Sequence, residues 1–257
     1  MDSQKRWALI TGGTSGIGLG IAKKLAPHFH LALNYASNEV RASLAFMELQ
    51  IEFPDSNIAL FKRQLTNETN CRNLFNDVKE RLGTAPAVLV NSAGKISDSL
   101  LLSSDFEKYQ SVVQEHLIVT MALSQLALKA MYQERWGRII NLSSISGSYS
   151  KRGQSNYAAA KAGIEAFTRT CALEVAHRGV TINAIAPGLI DTPMTKDFVK
   201  NLIEEGKTLR SRIPIGRMGR PDEVGALAAF LCSKDADYIT GSVMVIDGGR
   251  SLGDTGS

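Results

Sequence analysis

The sequence predicts an α/β fold: a doubly wound parallel sheet of about seven strands with helices on both faces. Three observations predict it. Seven short apolar runs bounded by turn residues are spaced along the 257 residues. Longer stretches with helical apolar spacing separate them, and a glycine-rich turn follows the first run directly. Strands that are apolar on both faces and alternate with helices suit a parallel sheet sandwiched between helix layers.

In chain order, the strand candidates are WALIT (7–11), HLALNY (30–35), NIALF (57–61), AVLVN (87–91), GRIINLS (137–143), VTINAIAP (180–187) and GSVMVI (241–246). Each is short and dominated by apolar residues. Helical patterns fill the intervals at 16–26, 38–52, 68–82, 105–133, 156–177 and 221–232. No internal repeat, low-complexity tract or Pro/Ser-rich linker divides the chain, so residues 1–257 are read as one domain. In such sheets ligands sit beyond the carboxyl ends of the strands, which directs attention to whatever follows each strand.

Composition narrows the classes. Hydrophobic residues make up 44% and charged residues 21%, ordinary globular usage. Lys and Arg exceed Asp and Glu by 29 − 25 = 4, with no run of basic residues, so nucleic acid is not expected as a partner. Cys71, Cys171 and Cys232 are scattered and odd in number, against a disulfide framework or a zinc site. The N-terminal MDSQKRWALITGG has no apolar segment long enough for a signal peptide, and no stretch reads as a membrane span. A cytoplasmic setting is the resulting expectation.

After the first strand comes TGGTSGIG (11–18), opening directly into a helix. Glycines at 12, 16 and 18 let the backbone turn sharply and approach a ligand, while the helix N–H groups and dipole favour a pyrophosphate. The expected cradle is Gly12, Thr14, Ser15, Gly16, Ile17 and Gly18, with the spacing GxxxGxG. A dinucleotide site selective for NAD places an acid near the end of the second strand. Here LNYASNEV has no acid until Glu39. Ser37 and Asn38 can hydrogen-bond a 2′-phosphate, so NADP(H) is expected over NAD(H), although no Arg stands at the spot.

The chemistry is expected from QSNYAAAKAG (154–163). Alanine favours helix, and positions i and i+4 share a helix face, so Tyr157 and Lys161 point the same way. A phenol with pKa ~10 is a poor acid or base near neutrality, but a neighbouring cation favours its phenolate. Tyr157 then exchanges a proton with a carbonyl oxygen. Lys161 supplies the cation and holds ribose hydroxyls. Ser144, in NLSSISG after the fifth strand, donates a hydrogen bond to the same oxygen.

TGGTSGIG, NSAG (91–94), the Ser144–YAAAK pair, PGLIDT (187–192) and VIDGG (245–249) together resemble the ordered motifs of the short-chain dehydrogenase/reductases with a Rossmann-like fold. The stretches GKISDSLLLS (94–103) and 213–249 resemble the β-ketoacyl-acyl-carrier-protein reductase type in particular. The resemblance implies Asn91, Ala93 and Gly94 on the adenine-ribose side, and Gln64 with Leu65 facing the adenine. It implies Pro187 and Gly188 in the loop below the nicotinamide, and the Ile190 backbone and Thr192 hydroxyl on its carboxamide. Arg135 and Arg178 are implied to receive an acidic carrier protein. A mobile helical lid is implied around 190–215, with apolar spacing at Phe198, Leu202 and Ile203. A homotetramer is implied, pairing the helices at 105–133 and 156–177, where Ile164, Phe167 and Cys171 fit an interface and almost equally a core.

Two positions depart from that family. VVQEHLIVT puts His116 where the family has an Asn whose backbone carbonyl holds a relay water. Either the carbonyl keeps that role or the imidazole carries the proton instead. RQLTN puts Gln64 where an Asp is common. The leading reading is NADPH-dependent reduction of a 3-oxoacyl thioester, on acyl-carrier protein or CoA, in fatty acid synthesis. A related ketoreductase acting on acetoacetyl-CoA, a polyketide intermediate or a small ketone or secondary alcohol is the nearest alternative. A cofactor-binding sensor or scaffold with little turnover is the alternative from another class.

Overall fold

The computed structural model of the chain describes residues 5–253 apart from 96, 150, 196–203 and 205–207. Its strands are β1 (Trp7–Ile10), β2 (His30–Tyr35), β3 (Ile58–Lys62), β4 (Val88–Asn91), β5 (Gly137–Leu142), β6 (Val180–Pro187) and β7 (Val243–Ile246). They form one sheet in the order β3-β2-β1-β4-β5-β6-β7, with every pairing parallel. All seven expected strands form, with ends within two residues of the sequence reading.

The helices are α1 (Gly16–Leu25), α2 (Glu39–Glu52), α3 (Glu68–Leu82), α4 (Phe106–Val113), α5 (Val119–Glu134), α6 (Ser155–Val175) and α7 (Pro221–Cys232). Strand side chains alternate between two cores. Ala8, Ile10, Leu31, Leu33 and Val90 face α1, α2 and α7 through Ile21, Leu25, Leu49, Val224 and Leu231. Leu9, Ala32, Leu89 and Ile139 face α3, α5 and α6 through Leu74, Val78, Leu123, Met131 and Ala172. A strand buried on both faces needs apolar residues at every position, which is why these runs do not alternate with polar residues.

Two expectations are corrected and a third is decided. The stretch 105–133 is not one α-helix: a π-helical turn, Gln114–Ile118, joins α4 to α5. The rod Phe106–Glu134 is, by length and composition, apolar enough to cross a membrane, contrary to the sequence reading. The reason lies partly in its packing, for it buries Leu123, Ala127 and Met131 beneath the sheet. Of the two places the sequence allows Ile164, core or interface, it takes the core at 1% exposure, while Phe167 and Cys171 stay half-buried. The implied lid residues Phe198, Leu202 and Ile203 lie outside the described residues.

Strand order reverses direction at β1, since β2 and β3 extend to one side of it and β4 to β7 to the other. Open parallel sheets leave a crevice beyond the carboxyl ends at such a point.

Candidate active site

A cleft of about 570 Å³ occupies that crevice. The glycine turn forms its floor. Gly12 and Gly16 hold positive φ of 64° and 52°, and a Cβ at Gly18 would collide with the Gly12 carbonyl. Thr11 ties the turn to the next loop, its Oγ1 accepting from the Ser92 and Ala93 N–H groups at 2.9 Å each. Ser15 N-caps α1 without a side-chain hydrogen bond, so the first N–H groups of the helix remain available for an anion. Thr14, Ile17 and Thr192 also line the cleft, the last packed over Gly16.

At the far end of β2 the cleft is lined by Ser37, Asn38, Gln64 and Leu65, as expected. Asn38 has a second duty, N-capping α2 by accepting from the Arg41 N–H at 2.9 Å. The fold adds two cations that sequence reasoning missed, because both lie outside the strand end: Arg41 on α2 and Arg63 after β3. Arg63 donates from Nη2 to Asp77 at 2.7 Å, while its buried Nε has no partner. These features fit the adenine-ribose end of a nicotinamide dinucleotide.

At the other end stand Tyr157 and Lys161, one turn apart on α6. Ser144 N-caps the short turn Ile145–Gly147 after β5, accepting from the Ser146 N–H at 3.1 Å, and its side chain lies near enough to the Tyr157 phenol to lower it. Lys161 is buried, and its Nζ donates to the Leu142 carbonyl at 2.6 Å. The expected phenolate is corrected here. Burial pushes the Tyr157 phenol up to about 12, Ser144 pulls it partly back and the Asp98 charge adds to the rise. Burial likewise pushes the Lys161 amine down to about 7. Desolvation dominates the phenol's shift, although the Lys161 Nζ lies 5.4 Å from the ring centre.

Asp98 and Gln154 are further site residues that the sequence reading missed. Gln154, buried at the start of α6, donates to both Asp98 oxygens at 3.0 Å and accepts from Ser146 Oγ at 3.2 Å. Asn156 donates to the Ser97 carbonyl at 3.2 Å. Together they bind the loop after β4 to the start of α6. Their polar types next to Tyr157 in GQSNY were the only sequence signal.

Several implied residues lie elsewhere. Asn91 does not line the cleft: its buried amide donates to Asn141 Oδ1 at 2.8 Å and Ser124 Oγ at 3.1 Å, joining β4 to β5 and α5. Ala93, Gly94 and Pro187 line the cleft, whereas Gly188 packs on Asp247 and Ile190 is buried beside Gly219. Arg135 caps α5 with φ 53°, and Arg178 stacks on Tyr132 at 4.3 Å. Both precede their following strands, β5 and β6, at the amino end of the sheet. A 21-residue helix spans roughly 30 Å, so α6 separates Arg178 from Tyr157 by its full length. The fold therefore does not bring the two arginines to this cleft. His116 does reach it, at the centre of the π turn.

A nucleotide cradle at the switch point of a parallel sheet, ending on a Ser–Tyr–Lys cluster, defines a nicotinamide-dependent oxidoreductase of the short-chain type. The chain belongs to the short-chain dehydrogenase/reductase family: a family model described as Enoyl-(Acyl carrier protein) reductase matches residues 12–251. More particularly, it is 35% identical over 252 residues to the 3-oxoacyl-[acyl-carrier-protein] reductase FabG of Pseudomonas aeruginosa, covering 98% of this chain and 100% of that protein. It is 36% identical to the Vibrio cholerae FabG (98% and 100% covered) and 32% identical to that of Escherichia coli K12 (98% and 100%). Among solved structures it resembles YwfH, described as an NADPH-dependent reductase involved in bacilysin biosynthesis. The TM-score is 0.89 at 25% identity, covering 96% of this chain and 98% of that one.

Proposed function

We propose that this chain reduces the ketone of a 3-oxoacyl thioester, carried on acyl-carrier protein, to the 3-hydroxyacyl thioester with NADPH, as a step of fatty acid synthesis. The observation that carries the reading is Tyr157 one helical turn from buried Lys161, both lining the end of the cleft away from the glycine turn, with Ser144 acting on the phenol. When bound, the nicotinamide supplies the hydride that reduces the carbonyl carbon. Tyr157, kept protonated by burial, gives its proton to the carbonyl oxygen. Ser144 donates a hydrogen bond to the same oxygen and steadies its developing charge. Lys161 holds the ribose hydroxyls, and the N–H groups at the start of α1 hold the pyrophosphate.

Arg41 and Arg63 support the NADPH preference, because a guanidinium binds phosphate through charge-assisted hydrogen bonds. Such a bond contributes about 1.5–3 kcal/mol. Arg41→Ala is therefore expected to raise the Kd for NADPH by roughly 10- to 100-fold and to leave that for NADH nearly unchanged. Equal losses for both cofactors would remove Arg41 from phosphate binding.

Assembly as a homotetramer is part of the same proposal, as is a reducing, cytoplasmic setting, which the free thiols of Cys71, Cys171 and Cys232 suit. The family description names an enoyl reductase, but a protonated phenol influenced by a serine hydroxyl suits a ketone oxygen better than a carbon–carbon double bond. The test offers 3-oxoacyl and enoyl thioesters of both acyl-carrier protein and CoA, each with NADPH and NADH. NADPH oxidation with the 3-oxoacyl carrier thioester foremost is expected. Turnover of the enoyl thioesters alone would refute the reading.

A further inference from the structure

His116 sits between three parts of the site. Its Nε2 is 2.8 Å from the Lys95 carbonyl, an acceptor, so Nε2 carries the proton and Nδ1 is the bare nitrogen. Its ring meets the Tyr157 ring edge to face, with centres 5.1 Å apart and planes at 85°. Its edge lies so close to Gly94 that a Cβ there would overlap the imidazole. The residue is 5% exposed, and Nδ1 is buried without any partner.

A proton carrier needs both nitrogens in contact with exchanging groups. Here one nitrogen is committed to a carbonyl, which holds no proton to pass on, and the other touches neither a donor nor solvent. The charged groups around the ring reinforce this. Lys161 on α6 and Lys95 on the loop after β4 both oppose a second positive charge. Glu115, on the same π turn, is engaged by Lys95 at 2.8 Å. Burial is the largest influence, and together with the two lysines it pushes the imidazole down to about 3 against the opposing pull of the Lys95 carbonyl.

We infer that His116 is a positioning residue for Tyr157 and not a proton carrier: as a neutral wedge it anchors the loop after β4 by its Nε2–H, fixes the plane of the phenol ring and keeps water from it. The inference rests on the reading of Tyr157 as the proton donor. It assigns the imidazole what a π turn is suited to do, since the extra residue in the turn re-aims one side chain into a site.

Two substitutions test it. His116→Phe keeps an aromatic edge against Tyr157 and loses the bond to Lys95, whereas His116→Ala loses both. Tyr157 ionisation is read by ultraviolet difference titration, with the matching Tyr157→Phe variants subtracted to isolate one phenol among the six tyrosines. In His116→Ala, Tyr157 is expected to titrate lower than in the wild type, and kcat to fall by about 10²-fold, the size a misplacement of 1 Å produces, with the Kd for NADPH little changed. His116→Phe is expected to keep the wild-type shape of the pH–rate profile and most of the Tyr157 shift. Loss of a limb between pH 5 and 8 in His116→Phe would make the imidazole a proton carrier. An unchanged Tyr157 titration in His116→Ala would end the positioning role. Wild-type protein that oxidises no NADPH with any 3-oxoacyl thioester would instead sink the functional reading, and the cofactor-free titration would still judge His116.

Discussion

Tyr157, Lys161 and His116 form a small group in which every member is held close to neutrality by burial. The phenol goes up to about 12, the amine down to about 7 and the imidazole down to about 3. The last shift has a consequence for stability. Below the ordinary imidazole value of 6.5 the unfolded chain takes up a proton that the folded chain refuses until about pH 3. Stability therefore falls as pH drops through that window, by a total of roughly 3–5 kcal/mol from this residue. His116→Phe is expected to lose less stability than wild type between pH 6.5 and 4.5 in denaturant titrations, and parallel curves would contradict it. The Tyr157/Lys161 pairing was legible because helical spacing alone puts i and i+4 on one face. The direction in which the phenol shifts was not, since burial is a property of the packed molecule. Arg41 and Asp98 were hidden for the same reason, since each reaches the site from an element that sequence spacing does not connect to Tyr157.

Close approach between elements depends on single hydrogen atoms. Where α1 crosses α7, a Cβ at Gly20 would strike the Pro221 backbone and one at Gly225 would strike the Gly20 carbonyl. The crossing fixes where α1 starts, hence where the phosphate cradle points. α7 is held there by its own N-terminus, with Glu223 accepting from the Arg220 N–H at 2.7 Å and from Arg217 at 2.7 and 2.9 Å. Gly225→Ala is expected to cost about 1–3 kcal/mol, as overpacking does, and to weaken NADPH binding. Thermal melts with and without cofactor check both, and a melt equal to wild type would show that the helices can separate. The strands and most helices were legible because buried parallel strands and helix faces leave strong apolar periods. The π turn was not, because one extra residue in a turn leaves the apolar spacing of 105–133 nearly unchanged.

The molecule as a whole sets its chemistry by strand order. The switch between β1 and β4 opens the cleft, and the ends of β1, β2, β4, β5 and β6 all feed residues into it or beside it. That layout followed from the sequence, since alternating strands and helices leave few topologies and the glycine turn marks the first crossover. The remoteness of Arg135 and Arg178 did not, because it depends on which end of a helix each occupies. The account's central claim is that a protonated Tyr157 delivers a proton to a ketone beside bound NADPH. The most direct measurement is the rate of NADPH oxidation with a 3-oxoacyl carrier thioester, for wild type and Tyr157→Phe, with product identified and cofactor binding measured separately. Wild type is expected to form the 3-hydroxyacyl thioester, and Tyr157→Phe to lose about 10²- to 10⁴-fold in kcat while still binding NADPH. Equal rates for the two proteins, or a wild type that binds NADPH and leaves the ketone untouched, would contradict it.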